Sequence, residues 1–367
     1  MYLNRLELRD WRSYREAVVE FDPAVNLITG ENAQGKTNLL EAVGYLSSGS
    51  SFRTRTASEL TRFGADLTEL NADFFSGGRE RSLRVGLISG RRKILELSGV
   101  KKKNWSELEN PLRTVIFCPE DLSVLRGGAD ARRRVLDRLL CQLRPAYAAA
   151  LTEYNRVIER KGRILRDRAE DPSLAELLPE YNDRAARYGA VLIGYRDACV
   201  RALDEIARRY TDELSGGREQ LRLEYRTVSC VPDPLPDRET LTGLLREHLA
   251  RRLPAELESG SCLSGPHKDD FFALLGDLSL KSYGSQGQTR TAAIALKLAE
   301  REMHRRDCGE EPLLLLDDVL SELDPMRQDY VIRRLGSGQV LITCCDDRGL
   351  TGLGRQYRIQ GGEITCM

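Results

Sequence analysis

The sequence predicts an α/β protein whose head is assembled from both ends of the chain, with a helical domain inserted between them. Three observations carry this expectation. Short β-type runs alternate with loops from residue 1 to about 117 and return from about 221. The stretch between, from about Glu120 to Leu214, reads as almost wholly helical. Each β-rich end also carries half of a phosphate-handling pattern: a glycine loop near the start, and an apolar strand ending in two acids near the finish. The expected division is 1–119 and 221–367 for a head of two lobes, and 120–220 for a helical arm. A chain of 367 residues suits two domains of ~150 each.

In the first region the β-type runs are 18–21, 26–29, 82–88, Ile94–Leu97 and Thr114–Phe117. One clear helical stretch begins at Lys36. Just before it, Gly30-Glu31-Asn32-Ala33-Gln34-Gly35-Lys36-Thr37 fits G-x-x-x-x-G-K-[ST]. That pattern alone recurs by chance, but here a strand-like Val25-Asn26-Leu27-Ile28 precedes it and a helix-like Asn38-Leu39-Leu40-Glu41-Ala42 follows. The glycines let the backbone curl so that its N–H groups point inward, and the helix adds its positive end. Lys36 suits the β- and γ-phosphates of ATP, and the Thr37 hydroxyl suits Mg²⁺. The expected nucleotide-binding residues are Gly30 through Asn38.

The densest basic cluster is Arg91-Arg92-Lys93 followed by Lys101-Lys102-Lys103, with only Glu96 between them. It reads as two ends of a hairpin or as neighbouring strands, and as a candidate DNA contact. Backbone phosphates need charge without sequence reading. A solvated face is the alternative.

In the helical region, Asp171-Pro172 reads as an N-cap with proline at the first helical position. Beyond Pro179, the residues Tyr188, Leu192, Tyr195, Cys199, Leu203, Ile206 and Tyr210 form an apolar stripe. A helix of roughly 30 residues, about 45 Å long, follows from that spacing. Residues 147–165 are its expected antiparallel neighbour. Over 131–220 the balance is 18 basic against 15 acidic residues, so the arm is no dedicated DNA grip. Leu214-Ser215-Gly216-Gly217 looks like a transporter signature, yet it follows the long helix and has no helix directly after it. It reads as a helix end closed by glycine.

In the last region, β-type runs return at 221–228, 271–275 and 313–316. Val231-Pro232-Asp233-Pro234-Leu235-Pro236 is a rigid loop. Tyr283-Gly284-Ser285-Gln286-Gly287-Gln288 opens a strong helix, where small and polar residues make an anion site. Leu313-Leu314-Leu315-Leu316-Asp317-Asp318 is a buried parallel strand delivering carboxylates at its C-terminal edge, the pattern of a Walker B element. Asp317 is expected to hold Mg²⁺ through water and Asp318 to polarise the attacking water. Ser321-Glu322-Leu323-Asp324 resembles the D-loop of ABC-type ATPases.

These motifs together resemble the RecF family of bacterial recombination mediators, relatives of the SMC ATPases, over essentially the whole chain. The resemblance rests on 6–14, on 30–38 with Leu39-Leu40-Glu41-Ala42, and on Ser51-Phe52-Arg53-Thr54. It continues through Phe117-Cys118-Pro119-Glu120-Asp121-Leu122, Gly265-Pro266-His267-Lys268-Asp269-Asp270, Ser285-Gln286-Gly287-Gln288, and 316–324. It implies an ABC-type ATPase head with a short helical arm, in which Ser285, Gln286, Gly287 and Gln288 serve as the signature acting in trans. It further implies an ATP-bridged homodimer on double-stranded DNA and at single/double-strand junctions, and action with RecR, and indirectly RecO, in loading RecA. Slow, DNA-stimulated hydrolysis then resets the clamp. Three positions depart from transporters: Asp318 replaces Glu, Glu120 stands where a Q-loop carries Gln, and Thr343 stands where a switch His lies. Between a DNA-sensing role and a structural turn, the Gly265–Asp270 motif itself does not choose.

Composition narrows the alternatives. Lys plus Arg and Asp plus Glu number 56 each, which excludes binding nucleic acid by bulk charge. The longest apolar runs, such as 146–151, fall far short of the ~20 residues that cross a bilayer. Arg5, Glu7, Arg9 and Asp10 leave no secretory core at the start. Nine cysteines without a CxxC pair read as reduced thiols in a cytoplasm. A transporter ATPase subunit needs an LSGGQ-type signature shortly before the acidic strand. An OLD-type ATPase–nuclease needs further acidic metal motifs. Another SMC-like DNA repair ATPase is the nearest alternative.

Overall fold

A computed structural model describes residues 1–54, 56–88, 94–108, 111–168, 170–345, 352 and 354–367. These divide into two compact units. One is Met1–Ser123 with Arg209–Arg218 and Gln286–Met367, and the other is Val124–Arg208 with Glu219–Ser285.

The first unit begins with β1 (Tyr2–Trp11), β2 (Tyr14–Glu20), β3 (Val25–Thr29) and α1 (Lys36–Ser48). It continues with β4 (Leu67–Ser76), β5 (Arg79–Ile88), β6 (Ile94–Leu97), β7 (Val100–Lys101) and β8 (Thr114–Phe117). The second unit holds α2 (Ala129–Leu143), α3 (Pro145–Asp167) and most of α4 (Leu178–Ser215). It also holds β9 (Leu221–Arg226), α5 (Arg238–Ser259), β10 (Asp270–Leu275), β11 (Leu278–Ser279) and α6 (Leu280–Tyr283). The chain returns to the first unit with α7 (Gln286–Cys308), β12 (Leu313–Asp317), α8 (Pro325–Arg333), β13 (Val340–Cys344), β14 (Arg355–Gln360) and β15 (Glu363–Cys366).

Two six-stranded sheets build the first unit. One is antiparallel, in the order β2-β1-β4-β5-β6-β7. The other runs β15-β14-β3-β13-β12-β8 and is parallel except at the edge strand β15. All five residues of β12 are buried, as a strand covered on both faces requires. Helix α1 shares one core with both sheets: Leu39, Leu40, Val43 and Leu46 cluster with Leu6, Leu8, Leu70 and Phe74, and with Ile28, Leu315 and Leu341. Burying such side chains stabilises by about 1.5–3 kcal/mol each.

In the second unit α3 and α4 run antiparallel. Tyr147 meets Tyr195 edge-on with ring centres 5.9 Å apart, while Ile164 and Leu165 cluster with Leu178 at the other end. This is the pairing the apolar stripe predicts. The helix is longer than expected, 38 residues. Asp171 does not start it: its carboxylate caps a separate 3₁₀ turn, Pro172–Leu177, by accepting from the Ser173 N–H. Among the described residues no helix is long and apolar enough to cross a membrane. All nine cysteines are free thiols.

The compact units divide the chain differently from the expected boundaries: 120–123 and 209–218 fall in the first unit, and 221–285 in the second. Residues 221–285 were expected in the head, yet they pack with the helices, because β10 pairs with β9 and Arg132 of α2 grips Asp270 through two 2.7 Å bonds. The ten-residue strands β1 and β4 are absent from the sequence reading. The buried face of β4 carries Thr68, Leu70, Ala72, Phe74 and Ser76, so its polar and small members blur the period of two.

Candidate functional site

The glycine loop leaves β3 and enters α1 with backbone geometry that dictates its residues. Gly30 has φ 156°, and a Cβ there would lie 2.5 Å from the carbonyl oxygen of Ile359 on β14. Gly35, at φ 114°, caps α1, and a Cβ there would meet the Tyr14 hydroxyl at 2.9 Å. That hydroxyl donates to the Gly35 carbonyl at 2.9 Å. Burial raises the Tyr14 phenol well above its usual pKa, so it remains a donor. The Gln34 amide oxygen accepts the Gly361 N–H at 2.6 Å, tying the loop to the β14–β15 turn.

Lys36 is buried, and its ammonium donates to the Gly30 and Glu31 carbonyls at 2.6 and 2.8 Å. The charge is therefore held at the mouth of the loop, beside the first N–H groups of α1, which have no carbonyl within the helix. The combination of a fixed ammonium and free helix N–H groups suits an anion such as phosphate.

Parallel strand order brings the second half of the site to this loop. β13 lies between β3 and β12, so the C-terminal ends of all three are neighbours: Thr343 pairs with Ile28 on one side and Asp317 on the other. The Thr37 hydroxyl, in the first turn of α1, donates to Asp317 Oδ1 at 2.9 Å, and the Thr343 hydroxyl donates to the same oxygen at 2.8 Å. Burial raises the Asp317 carboxyl above the usual range, opposed by those two hydrogen bonds and by the charge of Arg53. A hydroxyl and a carboxylate in contact are hard oxygen donors that would suit Mg²⁺. Among the described residues no group of three or more His, Cys, Asp or Glu forms a metal site of its own.

Asp318 follows at φ 52°, its N–H bonded to the Thr343 hydroxyl at 3.0 Å. The Cys345 thiol, missed in the sequence reading, is exposed and donates to Asn32 Oδ1 at 2.9 Å. The Lys36 ammonium approaches its sulfur to 3.4 Å.

A polar support stands behind the loop. Glu41 of α1 is wholly buried yet ionically satisfied: Arg12 grips both its oxygens at 2.7 and 2.8 Å, Arg53 stands at 3.7 Å, and Ser51 donates to it. Asn38 donates to Ser13 at 2.9 Å and accepts from Arg53 at 2.8 Å. These contacts explain why 6–14 and 51–54 accompany the loop in the motif set.

Other expected residues lie elsewhere. Gly284 ends α6, and exposed Ser285 directly precedes α7, whose first residues are Gln286, Gly287 and Gln288. Asp324 is the N-cap of α8, accepting from the Arg327 N–H at 3.1 Å. Leu214-Ser215-Gly216-Gly217 is the end of α4: Gly216 and Gly217 adopt φ 62° and 78°, and the Gly217 N–H returns to the Asp212 carbonyl. Exposed Glu120 follows β8, beside β12. Lys101 lies on β7 at the edge of the antiparallel sheet, with Lys102 and Lys103 just beyond it. Arg91, Arg92 and Lys93 lie outside the described residues.

The Gly265–Asp270 motif is a buried polar knot within the second unit. Asp269 pairs with Arg196 at 3.1 Å and accepts from Tyr225 and Thr227, while His267 Nδ1 is 2.8 Å from the Tyr154 hydroxyl. Gly265, at φ 131°, is required because a Cβ would lie 2.4 Å from that hydroxyl. Of its charged side chains only Lys268 is exposed. These bonds hold the motif in place within the second unit.

The profile of the RecF/RecN/SMC N terminal domain matches residues 2–364. The chain is 38% identical over 372 aligned positions to the DNA replication and repair protein RecF of Symbiobacterium thermophilum, covering 99% of this chain and 98% of that one. It is 33% identical over 374 positions to the protein of the same name from Bacillus subtilis, covering 99% and 100%. A solved structure of the recombination mediator protein RecF-ATPrS in the RecFOR pathway superposes with a TM-score of 0.93 at 32% identity, covering 100% of this chain and 98% of that one. An Smc head domain from Pyrococcus furiosus, with a TM-score of 0.54 at 16% identity over 100% and 96%, shares the fold alone.

Proposed function

The chain belongs to the RecF branch of the RecF/RecN/SMC family, and from that premise we propose that it is an ATP-dependent DNA-binding protein of replication, recombination and repair. The observation that carries the reading is the 2.9 Å contact between Thr37 and Asp317 beside the Lys36 loop. It pairs a phosphate cradle with a hard-oxygen cation site. Lys36 and the residues Gly30 through Asn38 bind ATP, Thr37 and Asp317 hold Mg²⁺, and Asp318 orients the attacking water.

The loop and the Ser285–Gln288 signature act on different nucleotides: the signature and Asp324 complete the site of a second copy. ATP therefore bridges a homodimer on duplex DNA, near gaps and single/double-strand junctions. There it works with RecR, and with RecO indirectly, to help load RecA in the cytoplasm. Slow, DNA-stimulated hydrolysis releases it. Lys101, Lys102 and Lys103 supply phosphate contacts, together with Arg91, Arg92 and Lys93.

Sedimentation with and without ATP and Mg²⁺, followed by binding to gapped duplex DNA, tests this. A monomer that becomes a dimer only with ATP, and then binds DNA, is expected. An unchanged mass together with ATP-independent DNA binding rejects the clamp reading.

A further inference from the structure

The side chain of Arg327 joins two segments that the proposed dimer needs at once. It lies in the first turn of α8, directly behind Asp324. Its Nη1 pairs with Asp324 Oδ2. Its Nη2 donates to the Gly287 carbonyl at 3.1 Å and to Thr291 Oγ1 at 2.8 Å, and its Nε reaches the same hydroxyl at 3.1 Å. One guanidinium therefore ties the D-loop carboxylate to the opening turn of α7, whose first three residues belong to the signature.

We infer that Arg327 is a positioning residue that fixes the D-loop and the signature helix to each other, so that both meet the partner copy's nucleotide in one fixed arrangement. The inference rests on the dimer reading above and names the link that reading lacks. The geometry suits arginine specifically. A planar fork with separated donors spans a carboxylate, a carbonyl and a hydroxyl, which a single ammonium does not. No contact of Arg327 touches Lys36, Thr37 or Asp317, so nucleotide capture by one chain is separable from assembly of two.

At its Asp324 end the link can be lost without leaving a buried charge unpaired. Asp324 keeps its bond to the Arg327 backbone N–H whatever the side chain, and its own side chain is 37% exposed, so water replaces the guanidinium.

The test compares Arg327→Met, Arg327→Lys and Thr291→Val in the full chain, with Ser285→Arg as reference. Monomer affinity for a fluorescent ATP analogue, dimer dissociation constant in ATP and Mg²⁺, and turnover against protein concentration are measured. Arg327→Met should bind the analogue within about twofold of the parent and dimerise about tenfold more weakly, the size expected for a contact network. Its turnover should recover as protein concentration rises. Arg327→Lys should fall between, and Thr291→Val should add little on top of Arg327→Met. Dimerisation of Arg327→Met at the parent's constant, while Ser285→Arg stays monomeric, overturns this inference alone. Normal dimerisation of Ser285→Arg overturns the trans-signature reading beneath it. Loss of analogue binding in both Arg327 variants also overturns the inference, because the link would then serve the fold rather than assembly.

Discussion

The Thr343 hydroxyl donates to the Asp317 carboxylate at 2.8 Å and accepts the Asp318 N–H at 3.0 Å, joining the two acids through one side chain. Thr343→Val keeps the shape and removes both bonds. Asp317 retains the Thr37 bond and Asp318 N–H retains the Thr343 carbonyl at 3.2 Å. ATP binding should survive, while turnover falls about tenfold, as one hydrogen bond to a charged group allows. Parental turnover in steady-state assays would remove Thr343 from the positioning of these acids.

Asp317 and Asp318 should separate in two different measurements. Burial raises the Asp317 carboxyl pKa, so the folded chain holds that proton more tightly than the unfolded one. Ionised Asp317 therefore subtracts from stability, and stability rises as pH falls through its folded pKa. Asp317→Asn should raise the melting point without nucleotide, by about 1 kcal/mol of stability, and lose the rise that ATP with Mg²⁺ produces. Asp318→Asn should keep that rise and slow turnover. A destabilised Asp317→Asn would contradict this account.

Lys36 is the cation of the loop, held by two carbonyls that any phosphate must displace or share. Lys36→Met should weaken ATP binding by about two orders of magnitude, equivalent to ~3 kcal/mol for a charge-assisted contact. Calorimetric titration reads it directly. Parental affinity would locate the phosphates elsewhere.

Cys345 offers a reporter for occupancy. Its exposed thiol lies 3.4 Å from the Lys36 ammonium, where a bound phosphate would cover it. In a Cys366→Ser background, maleimide labelling of Cys345 should slow about a hundredfold at an ATP concentration ~100 times Kd. Labelling that proceeds at the same rate with and without ATP would put the nucleotide away from this loop.

Acid should destabilise the first unit through His304. Burial lowers its pKa to about 3, with the Arg113 charge adding to the effect. The folded state thus keeps the ring neutral while the unfolded chain protonates near 6.5. Stability is full above that value and declines as pH falls toward about 3. Asp317 acts in the opposite direction, so the informative quantity is the difference between parent and variant. His304→Leu should flatten the fall in melting temperature between pH 7 and 4.5, and parallel curves would refute it.

Much of the site was legible because its signals are local. A glycine loop between one strand and one helix, four leucines before two acids, and a glycine stop after a long apolar stripe each constrain backbone within a few residues. The transporter-like Leu214-Ser215-Gly216-Gly217 could be recognised as a helix end for the same reason. What the sequence by itself determined is therefore the phosphate loop, the acidic strand, the α3–α4 pairing and the α/β class. Strand order is different, because it depends on pairings between distant segments. Only the tertiary structure set β13 between β3 and β12, and so brought Thr37, Asp317, Thr343 and Cys345 together. Only it gave Asp269 its buried partners, moved 221–285 to the helical unit, and led Arg327 to Gly287 and Thr291. A side chain's partner across such distances is chosen by packing of the whole core, which no short window of sequence encodes.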